Sequence, residues 1–286
     1  QQQQQQQHWD SNNNNNNNHF VAASSSLVPL RFLRAGKGDE AEGQRRFEQT
    51  LAWRRKFGMD TIIQQPHSNF ELIKQHYPQY FHLRGYQNEL VWYEKPARVN
   101  LRVLKKAGIT LNKLLEHYAM VTEFGWQVLE RDDTARSITV IDLDGIRLRD
   151  FIGDVVAFVR KAAAFTGQHY PERAGYVFVI NVPSWFQIIW KVVKGFVDEV
   201  TLRKITILFN KNEINAALRS RIPIEHIPPE YGGMSMPLGY SPEEEALHKF
   251  MDHNNRLQRT DNTYCCEGPF GNPPCPYCTW VPVRNY

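Results

Sequence analysis

Residues 176–182, YVFVINV, form an almost unbroken apolar run, and the next segment, 184–197 (SWFQIIWKVVKGFV), carries only Lys191 and Lys194 as charges. A strand of that composition belongs in a sheet covered on both faces. A helix that apolar needs apolar contact on more than one side. The strand and helix are bracketed by polar groups, Glu172 and Arg173 before them and Thr201 and Lys204 after. Together they suit a ligand with an apolar body and an anionic, hydroxyl-rich head, which is the description of a lipid.

Around this unit the pattern alternates between strand and helix. SITVIDL (137–143) reads as a strand, 150–166 as a helix ended by Gly167, and KITILF (204–209) as a third strand. Two successive βαβ units imply parallel strands joined by right-handed crossovers. The expected class is α/β, a mainly parallel sheet with flanking helices and an N-terminal helical cap. In that cap, 27–35 reads as a short helix. A longer one starts at Asp39 as N-cap and ends at Phe57, with Arg54, Arg55 and Lys56 in its last turn and Gly58 beyond. Further helices are expected over 70–76 and 112–130, the latter with Leu114, Leu115, Tyr118, Val121 and Leu129 near one stripe, and a strand over 89–94.

The ends of the chain are of another kind. Residues 1–26 are Gln, Asn and Ser tracts, expected to be disordered because they bury nothing. Residues 258–286 form a Cys- and Pro-rich tail. Between them, 27–75 reads as the cap and 76–257 as the main domain. Of 286 residues, 42% are hydrophobic and 12% aromatic, enough for a sizeable core. The net charge of +4, from 34 Lys and Arg against 30 Asp and Glu, is too mild to indicate nucleic acid and compatible with attraction to an anionic membrane surface. No apolar stretch approaches the roughly 20 residues of a membrane span. The first residues are not a secretory signal, and all four cysteines lie in the tail, so a cytosolic setting is expected.

Several chemistries find no support. Gly36-x-Gly38-x-x-Ala41 fits a loose dinucleotide fingerprint but follows no strand. There is no nucleophile elbow, P-loop or zinc-protease motif, and the ten histidines are scattered. Asp142 and Asp144 read as turn formers before Gly145. Cys275 and Cys278 have chelating spacing, but the adjacent Cys265 and Cys266 make a poor second pair. A zinc site is therefore the minor reading there, thioester lipidation of Cys265 or Cys266 another, and a tail with neither role the preferred one. The basic runs Arg54–Lys56 and Lys105–Lys106 read equally as solvated faces or as lipid-surface contacts.

Six segments in order carry a resemblance: LRFLRAGK (30–37), WRRKFGMDTI (53–62), YPQYFH (77–82), SITVIDLDG (137–145), YPER (170–173) through INVP (180–183), and VTLRKITIL (200–208) followed by IPPEYGG (227–233). From about residue 27 to 257 the chain resembles the CRAL-TRIO lipid-binding family, in its phosphatidylinositol/phosphatidylcholine transfer branch. The resemblance implies a deep lipid cavity under a mobile gate helix. Here the gate is 184–197, with Trp185, Phe186, Ile189, Trp190, Val193 and Phe196 as its apolar residues. The physics agrees. A two-chain lipid leaving a bilayer exposes about thirty methylenes, on the order of 25 kcal/mol, which only a closed apolar cavity can offset. An ordinary buried helix is the alternative for the segment taken alone.

The resemblance also implies site residues. Glu172 and Lys204 match the inositol head-group pair, and Thr201, Arg173 and Lys37 match positions around the phosphate. Ser137, Thr139 and Tyr118 match the choline-lipid side of the cavity. Two family tyrosines are replaced by Phe81 and Trp92, which removes two hydroxyls, although Trp92 keeps an N–H donor and can stack on a cation. The basic pair and aromatic that follow LRA in the family are here Gly36-Lys37-Gly38.

The expected function is binding of phosphatidylinositol, with phosphatidylcholine as second ligand, and its transfer between membranes or presentation to lipid kinases. No reaction is catalysed and no cofactor is needed. The protein would act as a cytoplasmic monomer, reversibly at Golgi- or endosome-type membranes. A carrier of a sterol-, tocopherol- or retinoid-like molecule is the alternative.

Overall fold

A computed structural model of the chain describes residues 28–150 and 153–261, with side chains to Arg256. The low-complexity start and the four cysteines lie outside the described residues.

The apolar strands form one five-stranded sheet in the order β1-β2-β3-β4-β5. These are β1 (Gln79–Arg84), β2 (Leu90–Glu94), β3 (Ser137–Asp142), β4 (Ala174–Ile180) and β5 (Ile205–Ile207). β2 to β5 run parallel, and β1 pairs antiparallel with β2. The β1–β2 turn is tight, with Asn88 at φ 64° and the Gly85 amide bonded to the Glu89 carbonyl. A Cβ on Gly85 would lie 2.4 Å from Glu89 Oε2 and 2.6 Å from Ile138 Cδ1, so a larger residue there would push both side chains aside.

Parallel neighbours require crossovers. α4 (Leu101–Lys106) and α5 (Leu111–Phe124) connect β2 to β3, and α6 (Asp154–His169) connects β3 to β4. α7 (Phe186–Val193) and α8 (Glu199–Leu202) lead from β4 to β5. The strand period of two then divides the sheet. Ile138, Val140, Phe178 and Ile180 point to one face, where they pack on Ile214 and Leu218 of α9 (Lys211–Arg219). Ser137, Thr139, Ile141, Val177 and Val179 point to the other face, which holds the cavity.

The N-terminal helices are α1 (Leu30–Ala35), α2 (Glu40–Phe57) and α3 (Phe70–His76). As read from the sequence, Asp39 caps α2 by accepting the Glu42 amide, and Gly58 ends it with φ 61°. The last helix, α10 (Pro242–Asp261), covers the open edge of the sheet. Ser241 donates to the Phe81 carbonyl, while Glu244 and Glu243 accept the amides of Phe81 and Leu83. Those bonds satisfy an edge that would otherwise invite pairing.

Four expected elements are corrected. The 150–166 helix runs from Asp154 to His169, through Gly167, because His169 stacks on Trp53 at 3.8 Å and holds the last turn. The 112–130 helix is regular only to Phe124 and closes with one wider turn, Gly125–Leu129. There Gly125 lies against Phe81, where a Cβ would be 2.9 Å from the ring. The 184–197 helix is limited to Phe186–Val193, and residues 194–196 form a turn around Gly195. The third strand is Ile205–Ile207 rather than 204–209.

Candidate functional site

The sheet face opposite α9 does not close against its helices. Between it and α5, α6 and α7 lies a cavity of about 730 Å³. Alternation along each strand selects its floor: Leu90, Trp92 and Glu94 from β2, Ser137, Thr139 and Ile141 from β3, Val177 and Val179 from β4. Phe158, Val159 and Ala162 of α6 and Tyr118 and Thr122 of α5 form the wall. α7 forms the roof through Phe186, Ile189, Trp190 and Val193, with Val197 beyond it. Trp185 packs beside this cluster, while Phe196 is absent from the lining and lies 4.5 Å from the Arg160 guanidinium. The opposite side of α7 is also apolar, with Ile188 56% and Val192 45% exposed.

One end of the cavity is polar. Glu172 lies two residues before β4 and Lys204 directly before β5, so the parallel register brings them to the same end of the sheet. Lys204 Nζ lies 3.1 Å from Glu172 Oε2 in a pair that is 17% and 14% exposed. Arg136 approaches the same oxygen at 3.5 Å. Glu172 takes φ 61°, a conformation side chains seldom adopt, held by the YPER turn. Thr201 and Lys37 line the same end, Thr201 in an α8 capped by Asp198, and Lys37 with Nζ 3.9 Å from Glu199.

Arg173 lines the cavity but its guanidinium is turned to the chain. Nη1 donates to the carbonyls of Asp132 and Ala135 at 2.7 and 3.0 Å, and the group stacks 4.2 Å from Trp126. It therefore fixes the 132–135 loop beside Glu172. Ser137 donates to the Arg173 carbonyl at 3.4 Å.

The interior is more aromatic than polar. Phe81 and Trp92 meet edge to face, with centroids 4.7 Å apart. Tyr118 packs edge-on against Phe158 and Phe165, and burial pushes its phenol above the usual range. Among the lining residues that escaped the sequence reading, Glu94 and Arg46 stand out by their charge and placement. Glu94 is surrounded by protein except where it faces the cavity; burial raises its pKa, and Tyr77 donates to it. The ELVWYE alternation held that signal, because Glu94 shares a face with Trp92. Arg46, in mid-α2, had none.

The basic runs resolve differently. Arg54 grips Glu123 with both Nη atoms, at 2.6 and 3.2 Å, and is no surface contact. Lys105 stays exposed and pairs with Asp154 at 2.5 Å. Among the described residues no group of three or more His, Cys, Asp or Glu is placed to hold a metal, and no helix is long and apolar enough to cross a membrane.

A mostly parallel sheet with a roofed apolar cavity and a polar rim defines a class of ligand-enclosing α/β domain. The chain belongs to the CRAL/TRIO domain family, whose family model matches residues 74–233. It is 34% identical over 213 residues to the SEC14 cytosolic factor of Candida glabrata, covering 72% of this chain and 70% of that one. It is 30% identical to the Sec14 cytosolic factor of Schizosaccharomyces pombe, over 71% and 73% of the two chains. The phosphatidylinositol/phosphatidylcholine transfer protein SFH9 of Arabidopsis thaliana is 29% identical over 64% of this chain and 33% of its own length. The crystal structure of Sfh5 shares the fold, with a TM-score of 0.56 at 16% identity over 68% and 69% of the chains.

Proposed function

We propose that this protein binds phosphatidylinositol, acyl chains in the cavity and inositol phosphate at the rim, and moves it between membranes. The observation that carries the reading is the Glu172–Lys204 pair, 3.1 Å apart and set at the mouth of an apolar cavity. A carboxylate accepts hydrogen bonds from inositol hydroxyls, and an ammonium pairs with a phosphate oxygen. The relatives named as phosphatidylinositol/phosphatidylcholine transfer proteins support the same ligand class.

In this reading α7 is the gate. It is short and apolar on two sides, and it is followed by a Gly195 turn that can serve as a hinge. Closed, it covers the chains. Open, its Ile188 and Val192 side enters the interface while Lys191 and Lys194 stay with the head groups. Phosphatidylcholine is the second ligand, along Ser137, Thr139, Tyr118 and Trp92. The edge-to-face seal of Phe81 on Trp92 favours, as the competing reading, a neutral apolar ligand in that inner part. The protein acts as a cytoplasmic monomer, peripheral and reversible at Golgi- or endosome-type membranes. Its output is either transfer or presentation of the lipid to a kinase. The bound lipid serves as cargo; no cofactor or reaction enters.

The test is transfer of fluorescent phosphatidylinositol between vesicles. Lys204→Ala removes a charge-assisted contact and should lower transfer roughly ten- to hundred-fold. Wild-type rates from the variant would remove the head-group assignment.

A further inference from the structure

The polar end of the cavity has a further cation that the Glu172–Lys204 pair does not account for. Arg46 lines the cavity with Lys37, Glu172, Thr201 and Lys204, although it comes from the middle of α2. Its Nη1 donates to the Ala35 carbonyl and its Nη2 to the Gly167 carbonyl, each at 3.0 Å. Ala35 ends α1 and Gly167 lies in the last turn of α6. Carbonyls at such ends have no partner within the helix and carry the negative end of its dipole. A guanidinium has five N–H donors, so these two bonds leave three. The guanidinium is thus held by two carbonyls, on a residue that lines the cavity.

The neighbouring turn explains why a cation must come from α2. At Gly36 an added Cβ would lie 2.3 Å from the Asp39 carbonyl oxygen and 2.9 Å from the Gly43 nitrogen. No side chain fits there, and the turn offers only Lys37, 67% exposed and facing Glu199. Lys204 is engaged by Glu172. Arg46 differs from both, because its described hydrogen bonds go to neutral carbonyls and Glu42, one turn back on α2, acts on it only through space while bonding to Arg45.

We infer that Arg46 is a phosphate-binding residue of this site, its guanidinium fork sharing the phosphodiester with the Lys204 ammonium while Glu172 takes the ring hydroxyls. The inference rests on the lipid reading above and extends it by assigning an anion contact to α2. Guanidinium matches phosphate oxygens in two-pronged geometry, which an ammonium cannot do. A lipid phosphodiester and free phosphate share that chemistry; continuity with the apolar cavity selects the lipid.

The experiment measures uptake from phosphatidylcholine vesicles carrying either fluorescent phosphatidylinositol or diacylglycerol with the same chains. Wild type, Arg46→Gln and Arg46→Lys are compared, with melting temperature as a second readout. Arg46→Gln should weaken phosphatidylinositol uptake roughly ten- to hundred-fold and leave diacylglycerol unchanged, and Arg46→Lys should recover part of the loss. Undiminished phosphatidylinositol uptake by Arg46→Gln would overturn the inference. So would equal loss of both lipids with a lowered melting temperature, which marks a residue that only braces α1 and α6. Inorganic phosphate alone is titrated as a third arm; tight binding that Arg46→Gln abolishes would make this a free-anion site and overturn the lipid assignment. If wild type takes up no phosphatidylinositol, the broader reading fails before any variant is compared.

Discussion

At the scale of residues, burial decides which charges are available. Arg54 and Glu123 neutralise each other between α2 and α5, and Tyr170 donates to the same carboxylate. Next to them His169 is 7% exposed, bonded to Thr50 and stacked on Trp53. Burial, with the nearby Arg54 charge, lowers its pKa from 6.5 to about 4. The unfolded chain therefore binds this proton more readily than the folded one. Stability from the neutral ring is complete above pH 6.5 and is lost as pH falls towards 4. Between pH 7 and 5 the loss from this ring is about 2 kcal/mol. Urea denaturation at both pH values should show His169→Gln losing less stability than wild type over that interval; equal losses would refute the assignment. At this scale Glu172 and Lys204 could be paired from the sequence, because each precedes a strand of a parallel sheet. Arg46 could not, because its role depends on two helix ends brought together from 35 and 167.

Among the elements, α7 has the most unusual composition and the most exposed apolar surface. Ile189 and Phe186 face the cavity while Ile188 and Val192 face out. An outward apolar side chain adds little to folding, yet burying one in a bilayer interface is worth on the order of 1.5–3 kcal/mol. Ile188→Asp and Val192→Asp should each reduce sedimentation with anionic vesicles roughly tenfold. Melting temperature should move little, since both side chains are exposed. Unchanged vesicle binding would show that the membrane meets another face. The sequence announced α7 and the caps of α2, where local chemistry suffices. It did not announce β1, whose QYFHLR lacks a clean apolar alternation and is a strand because β2 pairs on one side and α10 caps the other. Nor did Gly167 end α6, because packing on Trp53 outweighed the weak helix propensity of glycine.

For the molecule as a whole, the arrangement separates two tasks. The α9 face of the sheet is filled by a conventional core, including Val91, Ile138, Phe178 and Ile180. The other face gives up packing to enclose about 730 Å³ between a polar rim and an aromatic interior. Forgone core contacts are costly, so the folded chain gains when a ligand supplies them. The parallel class was legible from the strand–helix alternation. The cavity was legible only through the family resemblance, since a helix over a cavity and one over a filled core have the same composition. The central claim is that an inositol phospholipid fills this space with its head at Glu172 and Lys204. Its most direct test is mass spectrometry of lipid extracted from the natively purified protein, wild type beside Lys204→Ala. Phosphatidylinositol at close to one per chain in wild type and lost from the variant is the predicted result. A neutral apolar molecule alone, or a phospholipid retained equally by the variant, would contradict it.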